Sequence, residues 1–322
     1  MGKASRDKRD IYYRKAKYEG WRARSAFKLI QLDEQFGFLH DAKRVVDLCA
    51  APGSWSQVLS HKLVSGLPLS SSETNVLRRE PAESSADADV AAGAAASAGG
   101  EPAKIVAVDL QDMAPLPGVT QLKGDITKLT TVQQILGHFE GEKADVVLSD
   151  GAPDVTGLHD VDEYLQAQLL LAALNITTHL LRPGGTFCAK IFRGKDTTLL
   201  YSQLKVFFPV VTIAKPKSSR NSSIESFVVC QGYTPPANYV PTMMDPLLDA
   251  PYGEDNPLDG PNRIVVPFLS CGDLSGLDSD VSYPLDFGPG NDATPYVPLD
   301  PVQPPIEPAH ASSAAERKAF RQ

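Results

Sequence analysis

The sequence predicts an α/β fold in which a mostly parallel sheet carries helices on both faces. Short apolar runs of strand type alternate along the chain with longer stretches of helical period. The first of these runs, Val45-Val46-Asp47-Leu48-Cys49, passes through Ala50-Ala51-Pro52-Gly53-Ser54 directly into a helix-like stretch beginning at Trp55. A chain of 322 residues is also long enough to bury the core that such a sheet requires.

Taken in order, residues 22–36 place Ala23, Ala26, Phe27 and Ile30 on one helical face. Strand runs follow at 44–49, 104–109, 144–149, 185–191, 210–214 and 226–231, and helix-like stretches at 55–64, 128–138, 161–182 and 196–207. The last two strands lie close together around Ser218 to Ser223 and read as an antiparallel pair at the sheet edge. Crossover handedness puts the turns after the parallel strands along one edge, where ligands of such folds bind.

Residues 65–102 lose all periodicity to Ser, Ala, Gly and scattered charge, which predicts a disordered insert, the alternative being a lone helix through the Ala run. Residues 236–322 are acidic and rich in proline, which predicts an extended tail with one ordered segment at Ile264-Val265-Val266-Pro267-Phe268-Leu269. The expected organisation is a basic head over 1–21, a catalytic domain over 22–235 interrupted by that insert, and the tail.

A formal net charge of −8 argues on its face against a nucleic-acid partner. The distribution of charge argues the opposite. Residues 1–28 hold ten Lys and Arg against three acids, whereas the tail is strongly acidic. Basic residues in the head interleave with Tyr12, Tyr13, Tyr18 and Trp21, a composition suited to phosphate contacts and base stacking. Arg193, Lys195, Lys215, Lys217 and Arg220 could extend the track. The four cysteines are far apart with no C-x-x-C pair, so neither a zinc site nor an oxidising compartment is expected. With no apolar run of membrane-spanning length and no apolar signal core, the expected location is the cytoplasm.

The turn at 49–54 is neither the G-x-G-x-x-G dinucleotide fingerprint nor a phosphate-binding P-loop. An acid on the strand, a glycine turn and a tryptophan suit an uncharged or cationic nucleoside better than a pyrophosphate. S-adenosylmethionine is the evident member of that class. Gly53 allows close backbone approach, and Trp55 packs either against the ligand or into the core. Asp109 ends the run Ile105-Val106-Ala107-Val108, where α/β folds place a carboxylate on ribose hydroxyls. Asp125 either accepts from the adenine amino group or caps the helix starting near Thr127.

Four further segments carry charged residues in a fixed order: Lys28 in Trp21-Arg22-Ala23-Arg24-Ser25-Ala26-Phe27-Lys28-Leu29, Asp150 in Val146-Val147-Leu148-Ser149-Asp150-Gly151-Ala152-Pro153, Lys190 closing Gly185-Thr186-Phe187-Cys188-Ala189-Lys190, and Glu225 in Ser222-Ser223-Ile224-Glu225-Ser226-Phe227. With the Pro52-Gly53-Ser54-Trp55 turn, this set resembles the FtsJ-like ribose 2′-O-methyltransferases, over Met1 to about Tyr233 apart from the insert. The segments Tyr12 to Lys17, Asp154 to Asp160 and Lys190 to Gly194 resemble the eukaryotic branch acting on the tRNA anticodon loop.

The resemblance implies a Rossmann-like, S-adenosylmethionine-dependent methyltransferase fold with a seven-stranded sheet and an antiparallel edge hairpin. It assigns Gly53, Trp55, Asp109, Asp125 and Asp150 to the cofactor, no metal, and Lys190 as proton acceptor, positioned by Asp150 with Lys28 and Glu225 completing the network. An ordinary lysine has a pKa near 10.4, so holding its amine neutral at pH 7 costs roughly 4–5 kcal/mol. Cys49 stands where relatives often carry Gly, a small-for-small exchange expected to preserve the turn.

The substrate implied is the ribose at nucleotides 32 and 34 of tRNA. The implied partners are separate proteins, an armadillo-type one for position 32 and a WD-repeat one for position 34, for which the acidic tail is a docking segment or simply a solubilising one. Two alternatives stand beside this reading. One is the same chemistry on ribosomal RNA, and the other is a non-catalytic RNA-binding adaptor, which would have no need of the four charged residues.

Overall fold

The computed structural model describes residues 10–66, 102–153, 156–194, 197–243 and 281–284. The chain divides into two units, residues 1–267 and 268–322, and the first holds every element named below. The expected ordered segment at 264–269 and all but the ends of the 65–102 insert lie outside the described residues, as do Asp154, Val155 and Lys195.

Seven strands form one sheet: β1 Arg44–Leu48, β2 Lys104–Asp109, β3 Val119–Lys123, β4 Ala144–Ser149, β5 Leu181–Phe192, β6 Val210–Ala214 and β7 Glu225–Gln231. Their order is β3-β2-β1-β4-β5-β7-β6. The first five are parallel, and β7 runs antiparallel to both β5 and β6. The predicted antiparallel edge pair is therefore present. β3 escapes the strand reading because, as an edge strand, it is only partly covered, and Val119-Thr120-Gln121-Leu122-Lys123 has no continuous apolar run. β5 starts four residues before its predicted run, at Leu181.

Among the described residues, six α-helices cover the two faces: α1 Ile11–Tyr18, α2 Ala26–Phe36, α3 Ser54–Leu59, α4 Leu129–His138, α5 His159–Leu180 and α6 Thr197–Phe207. α3 passes into a π-helical turn over Ser60–Val64. Asp10 caps α1, its side chain accepting from the Tyr13 amide at 3.1 Å, and Lys15 and Lys17 sit at the negative end of the helix. α2 stops at Gly37, whose φ of 66° supplies the left-handed cap.

The pleat sorts the core into two layers. On one face, Val46 and Leu48 pack with Val132 and Ile135 of α4, Leu170 and Leu174 of α5, and Leu204 and Phe207 of α6. On the other, Val45 packs with Phe27 and Leu29 of α2, Trp55 and Val58 of α3, and Tyr12 and Ala16 of α1. β1 and β4 are central and buried on both faces, which is why they read as largely apolar runs, each interrupted by one aspartate, Asp47 and Asp145. Beyond β7, Tyr239 meets Phe207 edge-on at 5.0 Å between ring centroids.

The head corrects one expectation. Tyr12 and Trp21 are buried core residues, Tyr12 lying 5.6 Å from the Phe27 ring and Trp21 5.1 Å from the His61 ring. Tyr12 lies on the apolar stripe that α1 presents to α2, and Trp21 packs inward from the turn after α1, so neither ring is available to stack on bases. Tyr18, 90% exposed, and the half-buried Tyr13 remain on the surface.

Candidate active site

Sheet register assembles the four charged residues. Ser149 of β4 pairs with Ala189 of β5, so Asp150 and Lys190, each one residue further on, emerge side by side at the carboxyl edge. β7 returns antiparallel, pairing Phe227 with Lys190 and Glu225 with Phe192, which brings the Glu225 carboxylate back to the same edge. Lys28 enters from the first turn of α2.

The result is a ring of alternating charge. Lys28 Nζ lies 2.7 Å from Glu225 Oε2 and 3.9 Å from Asp150 Oδ1. Lys190 Nζ lies 2.7 Å from Asp150 Oδ1 and 3.9 Å from Glu225 Oε2. Both lysines are more than nine-tenths buried. Two ammonium and two carboxylate groups balance, which is how such a cluster survives burial. Lys190 aims its hydrogen bond at the Asp150 backbone oxygen, at 2.6 Å, so Asp150 Oδ1 is held by charge and keeps its directed accepting capacity. Burial raises the Glu225 carboxyl, but the Lys28 and Lys190 charges and hydrogen bonds from Lys28 and Ser219 outweigh it and leave it below the ordinary range.

Two members of this support are not evident from sequence. Ser219 Oγ donates to Glu225 Oε1 at 2.7 Å, fixing the second carboxylate oxygen. Gln166 of α5 donates to both the Gly151 and Lys190 carbonyls, at 3.2 and 3.1 Å, tying the two strand ends together. A polar residue on the buried stripe of α5 is the only signal that could have found Gln166.

Beside the ring lies a cavity of about 260 Å³ bounded by Ser25, Asp47, Cys49, Pro52, Trp55 and Asp150, among others. Its polar atoms are incompletely used: Asp47 Oδ1 and Ser54 Oγ are buried and have no hydrogen-bond partner in the protein. Asp47 Oδ2 accepts from Ser56 Oγ at 2.6 Å. Burial pushes the Asp47 carboxyl up to about 7; the Ser56 hydrogen bond opposes this, and the charges of Asp150 and Asp109 add to it. Unfilled acceptors beside two acids suit a ligand that carries positive charge and hydrogen-bond donors, as S-adenosylmethionine does. A larger apolar cavity of about 780 Å³ lies between α5 and α6 near Tyr239 and Met243, lined by none of the four charged residues. The chemistry belongs to the smaller, polar cavity.

The other expected cofactor residues divide between the cavity and the loops beside it. Gly53 adopts φ 97° and precedes α3. Trp55 is 2% exposed; it donates from Nε1 to the Ser25 carbonyl at 3.0 Å and packs on Phe227, while also lining the cavity. Both readings of Trp55 thus describe the same side chain. Asp109, at the end of β2, accepts from the Ala51 and Gln111 amides at 2.9 and 2.8 Å, so it shapes the loops after β1 and β2. Asp125 follows β3 and takes the Thr127 amide and hydroxyl at 2.9 and 2.8 Å; α4 begins only at Leu129, so Asp125 makes a local turn instead of capping it. Neither Asp109 nor Asp125 borders the 260 Å³ cavity.

Cys49 has φ 54°, a left-handed conformation that favours glycine. Burial, with Asp109 and Asp47 nearby, pushes its thiol up to about 12, so it is an unreactive small filler. Among the described residues no His, Cys, Asp and Glu cluster could hold a metal.

The chain is 56% identical to a human tRNA (cytidine(32)/guanosine(34)-2′-O)-methyltransferase, over 99% of this chain and 86% of that one. It is 46% identical to a Drosophila melanogaster tRNA (guanosine(34)-2′-O)-methyltransferase, over 96% of this chain and 86% of that one. Among solved structures, a Plasmodium falciparum chain described as a ribosomal RNA methyltransferase aligns with TM-score 0.51 and 26% identity, over 66% of this chain and 98% of that one. The model of the FtsJ-like methyltransferase family matches residues 21–233, which hold the cavity and all four members of the charged ring, and the chain belongs to that family.

Proposed function

We propose that the protein methylates ribose 2′-hydroxyls of tRNA at nucleotides 32 and 34, using S-adenosylmethionine. The observation that carries this is the Lys28-Asp150-Lys190-Glu225 ring beside a polar cavity that Asp150 also lines. The substrate follows from relatives that share about half of their residues with nearly the whole chain.

When bound, S-adenosylmethionine supplies an electrophilic methyl group on sulfur. Trp55 and Asp150 would hold it at the cavity, with Gly53 in the turn beside it, and Asp109 and Asp125 would hold it from the neighbouring strand ends. The rest is done by the chain. The ring places the 2′-hydroxyl oxygen in line for attack, and this orientation supplies much of the rate. Lys190, once its resting ammonium has given a proton to solvent, takes the hydroxyl proton as the oxygen attacks. The ammonium so formed is stabilised by Asp150 Oδ1 and Glu225 Oε2. Lys28 balances those two carboxylates, and Ser219 keeps Glu225 from turning.

RNA reaches this edge past exposed Arg193, Lys215, Lys217 and Arg220 and the surface of α1. The acidic tail is read as a docking segment for separate armadillo-type and WD-repeat partners that select nucleotide 32 or 34, and the site of action as the cytoplasm. Ribose-methylation mapping of tRNA and rRNA from cells lacking the protein, rescued with wild type or Lys190→Ala, tests the proposal. Loss confined to the anticodon loop and restored only by wild type is expected. Loss in rRNA would move the substrate, and rescue by the variant would reduce the protein to a binding subunit.

A further inference from the structure

Between α1 and α2 the chain passes through Gly20-Trp21-Arg22, and this turn is stapled to α3. The Arg22 amide donates to Gln57 Oε1 at 2.9 Å, and Gln57 Nε2 donates back to the Gly20 carbonyl at 3.0 Å. From this fixed base the guanidinium forks. Nη1 donates to the Pro52 carbonyl at 3.1 Å, and Nη2 donates to the Ala114 and Pro115 carbonyls at 2.7 and 3.0 Å.

Those carbonyls belong to two different loops. Pro52 lies after β1 and Ala114 and Pro115 lie after β2, and these strands are parallel neighbours. The two loops are the ones that flank a nucleoside at the carboxyl edge of such a sheet. Gln121 Nε2 also donates to the Ala114 carbonyl at 2.8 Å, so the far loop is braced from its own side. Gly53 is shaped by the same contact. A Cβ there would stand 2.4 Å from Arg22 Nη1, so a side chain at 53 and the clamp exclude one another.

We infer that Arg22 is a positioning residue for the cofactor, a clamp that sets the distance between the β1 and β2 loops. The inference rests on the reading of this edge as the S-adenosylmethionine site. A guanidinium is required because one side chain must reach three carbonyl oxygens on two loops, which a lysine ammonium cannot do from one position. The residue touches no reacting atom, so its loss is felt in cofactor binding and not in the chemical step.

The test measures S-adenosylhomocysteine binding by calorimetry, together with steady-state kinetics and tRNA affinity, for wild type, Arg22→Ala and Arg22→Lys. Both variants are expected to weaken S-adenosylhomocysteine at least tenfold and to raise KM for S-adenosylmethionine by a similar factor. Their kcat is expected to stay within about threefold of wild type. Gly53→Ala is expected to cost less in the Arg22→Ala background than in wild type, because the steric conflict is already gone. If Arg22→Lys binds S-adenosylhomocysteine like wild type, or only tRNA affinity falls in Arg22→Ala, the clamp is refuted and Arg22 is an RNA contact. If wild type itself fails to bind S-adenosylhomocysteine, the cofactor reading falls and the clamp falls with it.

Discussion

Lys190 is held twice by one residue: its Nζ donates to the Asp150 backbone oxygen at 2.6 Å and stands 2.7 Å from the same residue's Oδ1. A main-chain acceptor at the end of β4 cannot change rotamer, so the position of the amine is set by the β4–β5 register. Lys190→Ala is expected to lower the single-turnover methylation rate by about 10²- to 10⁴-fold, the usual weight of a positioned proton acceptor. S-adenosylhomocysteine affinity should stay within about threefold of wild type. Near-normal turnover in this variant would refute the assignment.

Asp150→Asn should separate the two grips, since the backbone oxygen survives and the charge does not. Burial is opposed in this cluster only by pairing, and the change leaves three charges with an uneven balance. A fall in rate smaller than that of Lys190→Ala, with a measurable loss of thermal stability, is expected. An Asp150→Asn protein as active as wild type would show that the backbone grip suffices.

Glu225 links the ring to stability. Its carboxyl lies below the ordinary value, so the folded state holds the proton less tightly than the unfolded chain does. The stabilisation is therefore complete above the unfolded carboxylate range and is lost as pH falls through the lowered folded value. Thermal melts of wild type and Glu225→Gln should differ most near pH 7 and converge as pH drops below about 4. A gap that widens on acidification would contradict the charge pairing of Glu225 with Lys28 and Lys190.

The parts legible in the sequence are those that repeat a local pattern. β1, β2 and β4 are apolar runs because both faces are covered, and Lys28, Asp150, Lys190 and Glu225 each sit in a short motif next to a strand or helix end. β3 was hidden because an edge strand needs little apolar character. Tyr12 and Trp21 looked like a stacking surface because aromatic residues among basic ones have the same composition whether they face RNA or α2. Arg22 and Ser219 act through partners tens of residues away or through side-chain bonds in a hairpin turn, which periodicity does not record.

Cys49 tests the backbone at the first turn. Its φ of 54° costs a β-carbon-bearing residue about 1–2 kcal/mol, whereas glycine adds unfolded-state freedom worth about 0.4–1 kcal/mol. The two nearly offset, so Cys49→Gly should melt at or slightly above the wild-type temperature and keep full activity. Cys49→Val, β-branched in a left-handed site and pressed toward Gly151, should lose about 2 kcal/mol or more. Equal stability for all three would mean the turn relaxes freely.

Asp47 should make the folded protein less stable as pH rises. Its carboxyl is raised to about 7 chiefly by burial, so the folded state holds the proton more tightly than the unfolded chain. The resulting stability is complete below the unfolded value near 4 and is lost as pH rises through about 7, a span worth on the order of 4 kcal/mol. Asp47→Asn removes the titration while keeping an oxygen for the Ser56 hydroxyl, although its amide gains no assured partner. In melts without cofactor, the variant should therefore lie at or below wild type at pH 5 and gain on it steadily to pH 8. Parallel melting curves across that range would show that Asp47 is already ionised in the folded protein at pH 5, and the unpartnered Oδ1 would then need another explanation.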